Sequence, residues 1–247
     1  MSKNGWIIFS ALCIALLGGL IFVSQRNKAD VSAVNEHSVQ AANANNGSIA
    51  DHVYGNKDSK VILIEYGDFQ CPGCGSAYAV VKKATEAYRN KIGFVFRSFP
   101  LTTIHPNALA ASSVAEAAGL QGKYWEMHDK LYENQSAWKD LTGQARTDYF
   151  KQLAEQVGVN VDQWLVDLDS ERVQKKISYD QSLGKKAGVS GTPAFFINGN
   201  NVGDQYFEGD KLVAQKTDTS QLVWSDATAF ENLVIIPALK NAGISTD

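Results

Sequence analysis

Cys71-Pro72-Gly73-Cys74 stands directly after the apolar run at residues 61–66 (VILIEY), and no other cysteine lies outside the N-terminal hydrophobic stretch. A short run rich in apolar and β-branched residues reads as a buried strand. Apolar Tyr78, Val81, Ala84 and Tyr88 follow at helical spacing, so residues 71–89 read as a helix. Pro72 suits its first position, where the missing N–H costs nothing. The cysteine pair therefore falls on a strand-to-helix junction. A helix start presents unpaired N–H groups and the positive end of the dipole, both of which favour a thiolate over a thiol. That junction points to an α/β fold and to sulfur chemistry.

Periodicity extends the pattern. Residues 92–99 (IGFVFRSF) alternate and predict the next strand, and residues 101–189 read as a long helical block. Within it, Ala108, Ala111, Ala115 and Ala118 make a small-residue face, and Trp125, Trp138 and Trp164 read as packing residues. Residues 194–198 (AFFIN) are strand-like, residues 198–201 form a turn, and residues 202–207 return as a paired strand. Residues 209–225 are polar and take no assignment, and residues 226–241 read as a closing helix with Pro237 in its last turn. The predicted order is strand, helix, strand, helical block, strand, strand, helix: a mixed sheet divided by inserted helices.

The first residues stand apart. Residues 5–23 (GWIIFSALCIALLGGLIFV) hold 19 residues without a charge, a length that matches the bilayer core. No Ala-x-Ala-like site follows, which favours an uncleaved signal anchor over a removed signal peptide. Cys13 reads as a small apolar membrane residue. Residues 24–50 are rich in Asn, Ala, Ser and Gln without periodicity and read as a flexible linker, about 30 Å in root-mean-square span. The predicted division is an anchor at 1–23, a linker at 24–50 and a domain at 51–247. A net charge of −3 gives no basic footprint for nucleic acid, and three cysteines are too few for a disulfide scaffold.

Phe69-Gln70-Cys71-Pro72-Gly73-Cys74 together with Gly191-Thr192-Pro193-Ala194-Phe195-Phe196 resembles the DsbA-like branch of the thioredoxin superfamily. Phe99-Pro100-Leu101, His105-Pro106-Asn107-Ala108 and Tyr124-Trp125-Glu126-Met127-His128 match as well, and the resemblance covers about residues 51–207. It implies a thioredoxin fold with a helical insertion and disulfide exchange with extracytoplasmic proteins. By resemblance, Cys71 is the exposed nucleophile, Cys74 the resolving cysteine, and Pro193 a cis-proline facing the disulfide. The backbone of Thr192 could then pair with an extended substrate beside Pro72 and Gly73. Glu65 occupies the place of a buried acid that relays a proton to or from Cys74; the alternative is a solvent-exposed strand-end residue. Phe69 could touch apolar substrate side chains or pack in the core. Asp68 reads as a turn or cap residue, His105 as a turn residue, and His128 as a core-edge or surface residue.

The redox-active disulfide is the expected cofactor, with no bound one. Expected partners are exported proteins bearing cysteines and, by resemblance, a quinone-linked membrane protein that reoxidises the pair; a monomer is expected. The catalytic domain is placed outside a cell membrane, because a catalytic disulfide persists in an oxidising compartment. The leading direction is oxidation. Gly73 tempers it, since strong oxidants of the branch often carry His there. Reduction or isomerisation by the same residues, and a metal-binding assembly role, stand as alternatives. One CxxC supplies two of the four ligands that a structural zinc needs, and His37, His52, His105 and His128 are scattered.

Overall fold

The computed structural model describes residues 29–246 continuously, with Trp6, Phe9, Ser10, Leu12, Cys13 and Ile14 before them. The predicted anchor at residues 5–23 lies mostly outside the described residues. Among the described residues no helix is long and apolar enough to cross a membrane.

Strands β1 (Val53–Gly55), β2 (Ile62–Gly67), β3 (Gly93–Ser98), β4 (Ala194–Ile197) and β5 (Asn200–Asn201) form one mixed sheet in the order β1-β3-β2-β4-β5. β2 and β3 run parallel, from Ile62 opposite Gly93 to Gly67 opposite Ser98, and the other pairings are antiparallel. Helix α1 (Pro72–Ala87) makes the crossover between β2 and β3. Strand alternation divides the core in two. Leu63, Phe94, Phe96 and Phe195 join α1 on one face, while Ile64, Tyr66, Val95 and Phe196 pack on the other. Glu65 shares the parity of Leu63 and so points toward α1.

The helical block folds as α2 (Ala108–Gly119), α3 (Tyr124–Glu133), α4 (Gln135–Trp138), α5 (Gly143–Val157), α6 (Val161–Leu168) and α7 (Glu171–Lys186). Ala108, Ala111, Ala115 and Ala118 are fully buried, as a face built for close approach requires. Asn160 and Ser170 cap α6 and α7 through their side chains, which accept from the N–H groups of Gln163 and Val173.

Two regions differ from the periodicity. Val202 and Gly203 both donate to the Phe195 carbonyl, at 2.8 and 3.2 Å, so the returning strand bulges and leaves the sheet after Asn201. The chain then builds a second, antiparallel sheet from β6 (Tyr206–Glu208), β7 (Lys211–Val213) and β8 (Gln221–Leu222). The closing helix is α8 (Ala227–Phe230) and α9 (Ile236–Asn241), joined by a π turn at Glu231–Ile235. Pro237 has no N–H for the Leu233 carbonyl, and the wider turn lies just before it.

The predicted linker requires correction from Ala29 onward; residues 24–28 lie outside the described residues. Residues 29–50 lie against the domain, with Gln40, Asn46 and Ile49 buried. Arg97, wholly buried, donates to Tyr66 Oη at 2.9 Å, to the Ser38 carbonyl at 2.6 Å and to the Glu36 carbonyl, and pairs with Asp51 at 2.7 Å. Lys176 holds the other Asp51 oxygen at 3.0 Å. Burial works against the Asp51 charge, but Lys176 and Arg97 hold the carboxyl well below the usual carboxylate range. The segment is polar because its carbonyls and amides complete the bonding of buried charges, a role that composition does not distinguish from solvation. Gln40 is its central tie: Nε2 donates to the Asn35 and Ser38 carbonyls, and Oε1 accepts from Tyr179 Oη at 3.1 Å. Gln40→Ala is expected to lower the unfolding free energy by about 1–2 kcal/mol. A urea titration showing no change would restore the linker reading.

Candidate active site

Cys71 is the residue on which α1 starts. Its backbone is extended, its carbonyl accepts the Gly75 N–H at 3.1 Å, and Pro72 opens the helix with no acidic side chain in the first turn. Cys71 is 8% exposed, Cys74 one turn on is fully buried, and both are free thiols. Asp68 N–H reaches Cys74 Sγ at 3.5 Å. Beside it comes the Thr192–Pro193 loop, which leads into β4 next to β2 and whose peptide bond is cis. Cys71 Sγ–H donates to the Thr192 carbonyl at 3.4 Å. Gly73 completes the cluster: a Cβ there would lie 3.3 Å from Pro193 Cδ and 3.6 Å from Cys71 Sγ. Pro72 is exposed, and Gly73, Thr192 and Pro193 are half-buried. The structure thus brings Cys71, Cys74, Pro72, Gly73, Thr192 and Pro193 together.

Electrostatics separates the two sulfurs. The Cys74 thiol donates to Cys71 and draws its pKa down to about 5 against the cost of burial, helped by the Thr192 side chain and by the N–H groups of Cys74 and Gly73. Burial pushes Cys74 well up, and the hydrogen bond to Cys71 and the charge of Glu65 push the same way. Glu65 is 2% exposed, and burial, with the Cys71 charge, raises it to about 8. Its Oε1 has no protein partner. A Cβ on Gly67 would come within 3.1 Å of that oxygen, so the glycine leaves it room.

Phe69 takes the core alternative. It is fully buried, with ring centroids 4.8 Å from Phe96 and 5.1 Å from Tyr132, and offers no face to a substrate. The substrate contact expected of it is therefore withdrawn. Asp68 acts as a cap for its loop: its carboxylate accepts from Gln70 N–H, Leu101 N–H and His105 Nδ1, the last at 2.7 Å. His128 is buried in the core rather than at its edge.

Sequence reasoning missed two glutamines that hold the site. Gln135 Nε2 donates to the Phe69 and Cys71 carbonyls at 2.7 and 2.9 Å, tying the approach to α1 onto α4. Gln70 bridges Asn107 N–H and the Lys139 carbonyl, both at 2.6 Å. A lone Gln beside a turn has no periodic signal. Its value lies in pairing with carbonyls far away in sequence.

A family model described as Thioredoxin matches residues 47–213. The chain belongs to the thioredoxin family. Within it, a thioredoxin-like oxidoreductase from Silicibacter pomeroyi DSS-3 superimposes with a TM-score of 0.53 at 25% identity, covering 78% of this chain and 92% of that one. Wolbachia pipientis alpha-DsbA1 superimposes with a TM-score of 0.60 at 21% identity over the same shares. The fold is that of the DsbA-like thiol–disulfide oxidoreductases. Among curated proteins, a Na(+)/H(+) antiporter NhaA 1 of Salinispora arenicola is 40% identical over 151 residues, which are 60% of this chain and 22% of the antiporter. The chain thus spans about a fifth of that relative, and ion exchange belongs to the antiporter as a whole. What the thioredoxin-family chain itself displays is a dithiol at a helix start.

Proposed function

We propose that the protein is an extracytoplasmic thiol:disulfide oxidoreductase that introduces disulfides into exported proteins. The carrying observation is the asymmetry of the pair: Cys71 is drawn toward the thiolate and Cys74 away from it. In the oxidised protein a substrate thiolate attacks Sγ of Cys71, the one residue of the pair with exposed surface. The Cys71–Cys74 bond breaks as the mixed disulfide forms, and Cys74, a poor leaving group, takes a proton from Glu65. A second substrate thiolate then attacks the substrate sulfur of the mixed disulfide. Cys71 leaves readily as a thiolate. Two substrate thiols have become a disulfide, and the protein holds the two electrons as Cys71 thiolate and Cys74 thiol. A quinone-linked membrane protein is the proposed acceptor that removes them.

Reductase or isomerase work would use the same atoms. Gly73 keeps that reading in play, because it gives the Cys71 thiolate no side-chain partner. The state of the pair in cells decides between them: a predominantly oxidised Cys71–Cys74 supports the oxidase, and a predominantly reduced one overturns it. Cys74→Ala tests the chemistry itself. It is expected to accumulate mixed disulfides through Cys71 with extracytoplasmic proteins, seen as reducible bands on gels. A variant that captures nothing, while its Cys71 still reacts with a small disulfide, would sink the protein-substrate reading.

A further inference from the structure

A small cavity lies behind the cysteines, between β2, α1 and α3. Its volume is about 30 Å³, enough for roughly one or two waters. Its walls are largely aromatic, yet Glu65 Oε1, His128 Nε2, Tyr132 Oη and Trp125 Nε1 on those walls are buried polar atoms without a protein partner. Unpaired buried groups are costly, and several meeting at one void call for water. His128 Nδ1 is 3.1 Å from Asp129 Oδ1. The carboxylate can only accept, so Nδ1 carries the proton and Nε2 is a bare acceptor. Asp129 is one-third exposed and paired with Lys82 at 2.8 Å. Buried polar groups thus run from Glu65 to the surface.

We propose that this cavity is hydrated and that its water and His128 form the proton exit of Glu65, with Asp129 and Lys82 at the mouth. The proposal rests on the thiol–disulfide reading above. When the pair is reoxidised, Glu65 takes the proton from Cys74 as the sulfur–sulfur bond closes. Glu65 passes it to the cavity water, the water passes one to His128 Nε2, and the Nδ1 proton leaves through Asp129 to solvent. Proton uptake follows the reverse path. Burial keeps His128 below its ordinary pKa, so the ring waits neutral. The other titratable groups on the walls are Tyr54 from β1, Tyr78 and Glu86 from α1 and Tyr132 from α3. Tyr78 and Tyr132 are pushed upward by burial and stay protonated at neutral pH. Glu86 and the Lys82–Asp129 pair remain as the charges at the mouth.

Infrared spectroscopy of the reduced protein below pH 8 tests the route. The protonated Glu65 carbonyl band, identified by its loss in Glu65→Gln, shifts on transfer into D2O. His128→Phe is expected to slow that shift at least tenfold while leaving the first attack on Cys71 unchanged. Asp129→Asn, a partly exposed change, guards against a folding defect and is expected to slow it less. A high-resolution structure should show water in the cavity. An empty cavity, or a shift as fast in His128→Phe as in the wild type, overturns the route. Absence of thiol–disulfide exchange by the wild-type protein would instead overturn the functional reading.

Discussion

Replacing Cys71 with serine is expected to abolish disulfide exchange, a loss of about a thousandfold or more, because the attacked sulfur itself is gone. The same residue sets a pH signature in the wild-type protein. Thiolate absorbance of the reduced form should titrate with a midpoint near the value of about 5 to which the Cys74 hydrogen bond draws Cys71. Cys71→Ser should remove that transition, and Cys74 should titrate far above it. The sign for stability follows by linkage. The folded pKa lies below the unfolded one, so the thiolate's contribution is fully present above the unfolded thiol value of about 8.5 and is lost as pH falls through about 5. The Cys71 contribution to the reduced protein should therefore fall on acidification from about pH 8.5 to 5, opposite to the slope of Glu65, and the oxidised form lacks it. Solvent reaches the site, so the contribution at pH 7 is discounted for screening to about 1–2 kcal/mol. The four-residue disulfide loop contributes roughly 2 kcal/mol in the opposite sense. The two nearly cancel, which suits a moderate oxidant. Urea titrations of both redox forms at pH 5 and 8 measure the difference; a gap that does not change with pH would remove the thiolate argument.

That site was readable because its parts are local. A strand, a CxxC and a helix start lie within fourteen residues, from Val61 to Cys74. Glu65 came from the resemblance, and only the observed strand, through its parity with Leu63, puts it on the side of α1. Other parts depend on partners far away in the chain. Gln135 is defined by two carbonyls more than sixty residues away. Residues 29–50 carry the composition of a linker, and only the buried Arg97 and Asp51 explain why they dock. Phe69 illustrates a third case. Cys71, two residues on, keeps a small exposed face, but the loop turns the Phe69 ring inward onto Phe96, and nearness in sequence says nothing about direction. The stretch at residues 209–225 was opaque because its strands are two or three residues long, too short for a period to register.

Glu65→Gln is expected to slow the step that frees or consumes Cys74 by about a hundredfold, the lower end of what a positioned acid–base group contributes. Formation of the mixed disulfide at Cys71 in the Cys74→Ala background should be little changed, since no Cys74 proton moves there. Wild-type rates should bend near pH 8, where Glu65 loses its proton, and the variant should lack that bend. The stability effect runs the other way. Burial raises the folded pKa from 4.5 to about 8, so the folded protein binds more protons than the unfolded chain between those values. Stability present below pH 4.5 is therefore lost as pH rises through about 8. Gln carries no charge to bury, so the variant should be the more stable protein at neutral pH, by about 3 kcal/mol at pH 7. The oxidised protein, lacking the Cys71 thiolate, should show a smaller gap. A variant that turns over more slowly below pH 8 yet melts higher, with the stability difference vanishing below pH 4.5, is the combined signature of a buried proton donor. An exposed or merely structural carboxylate produces neither half of it.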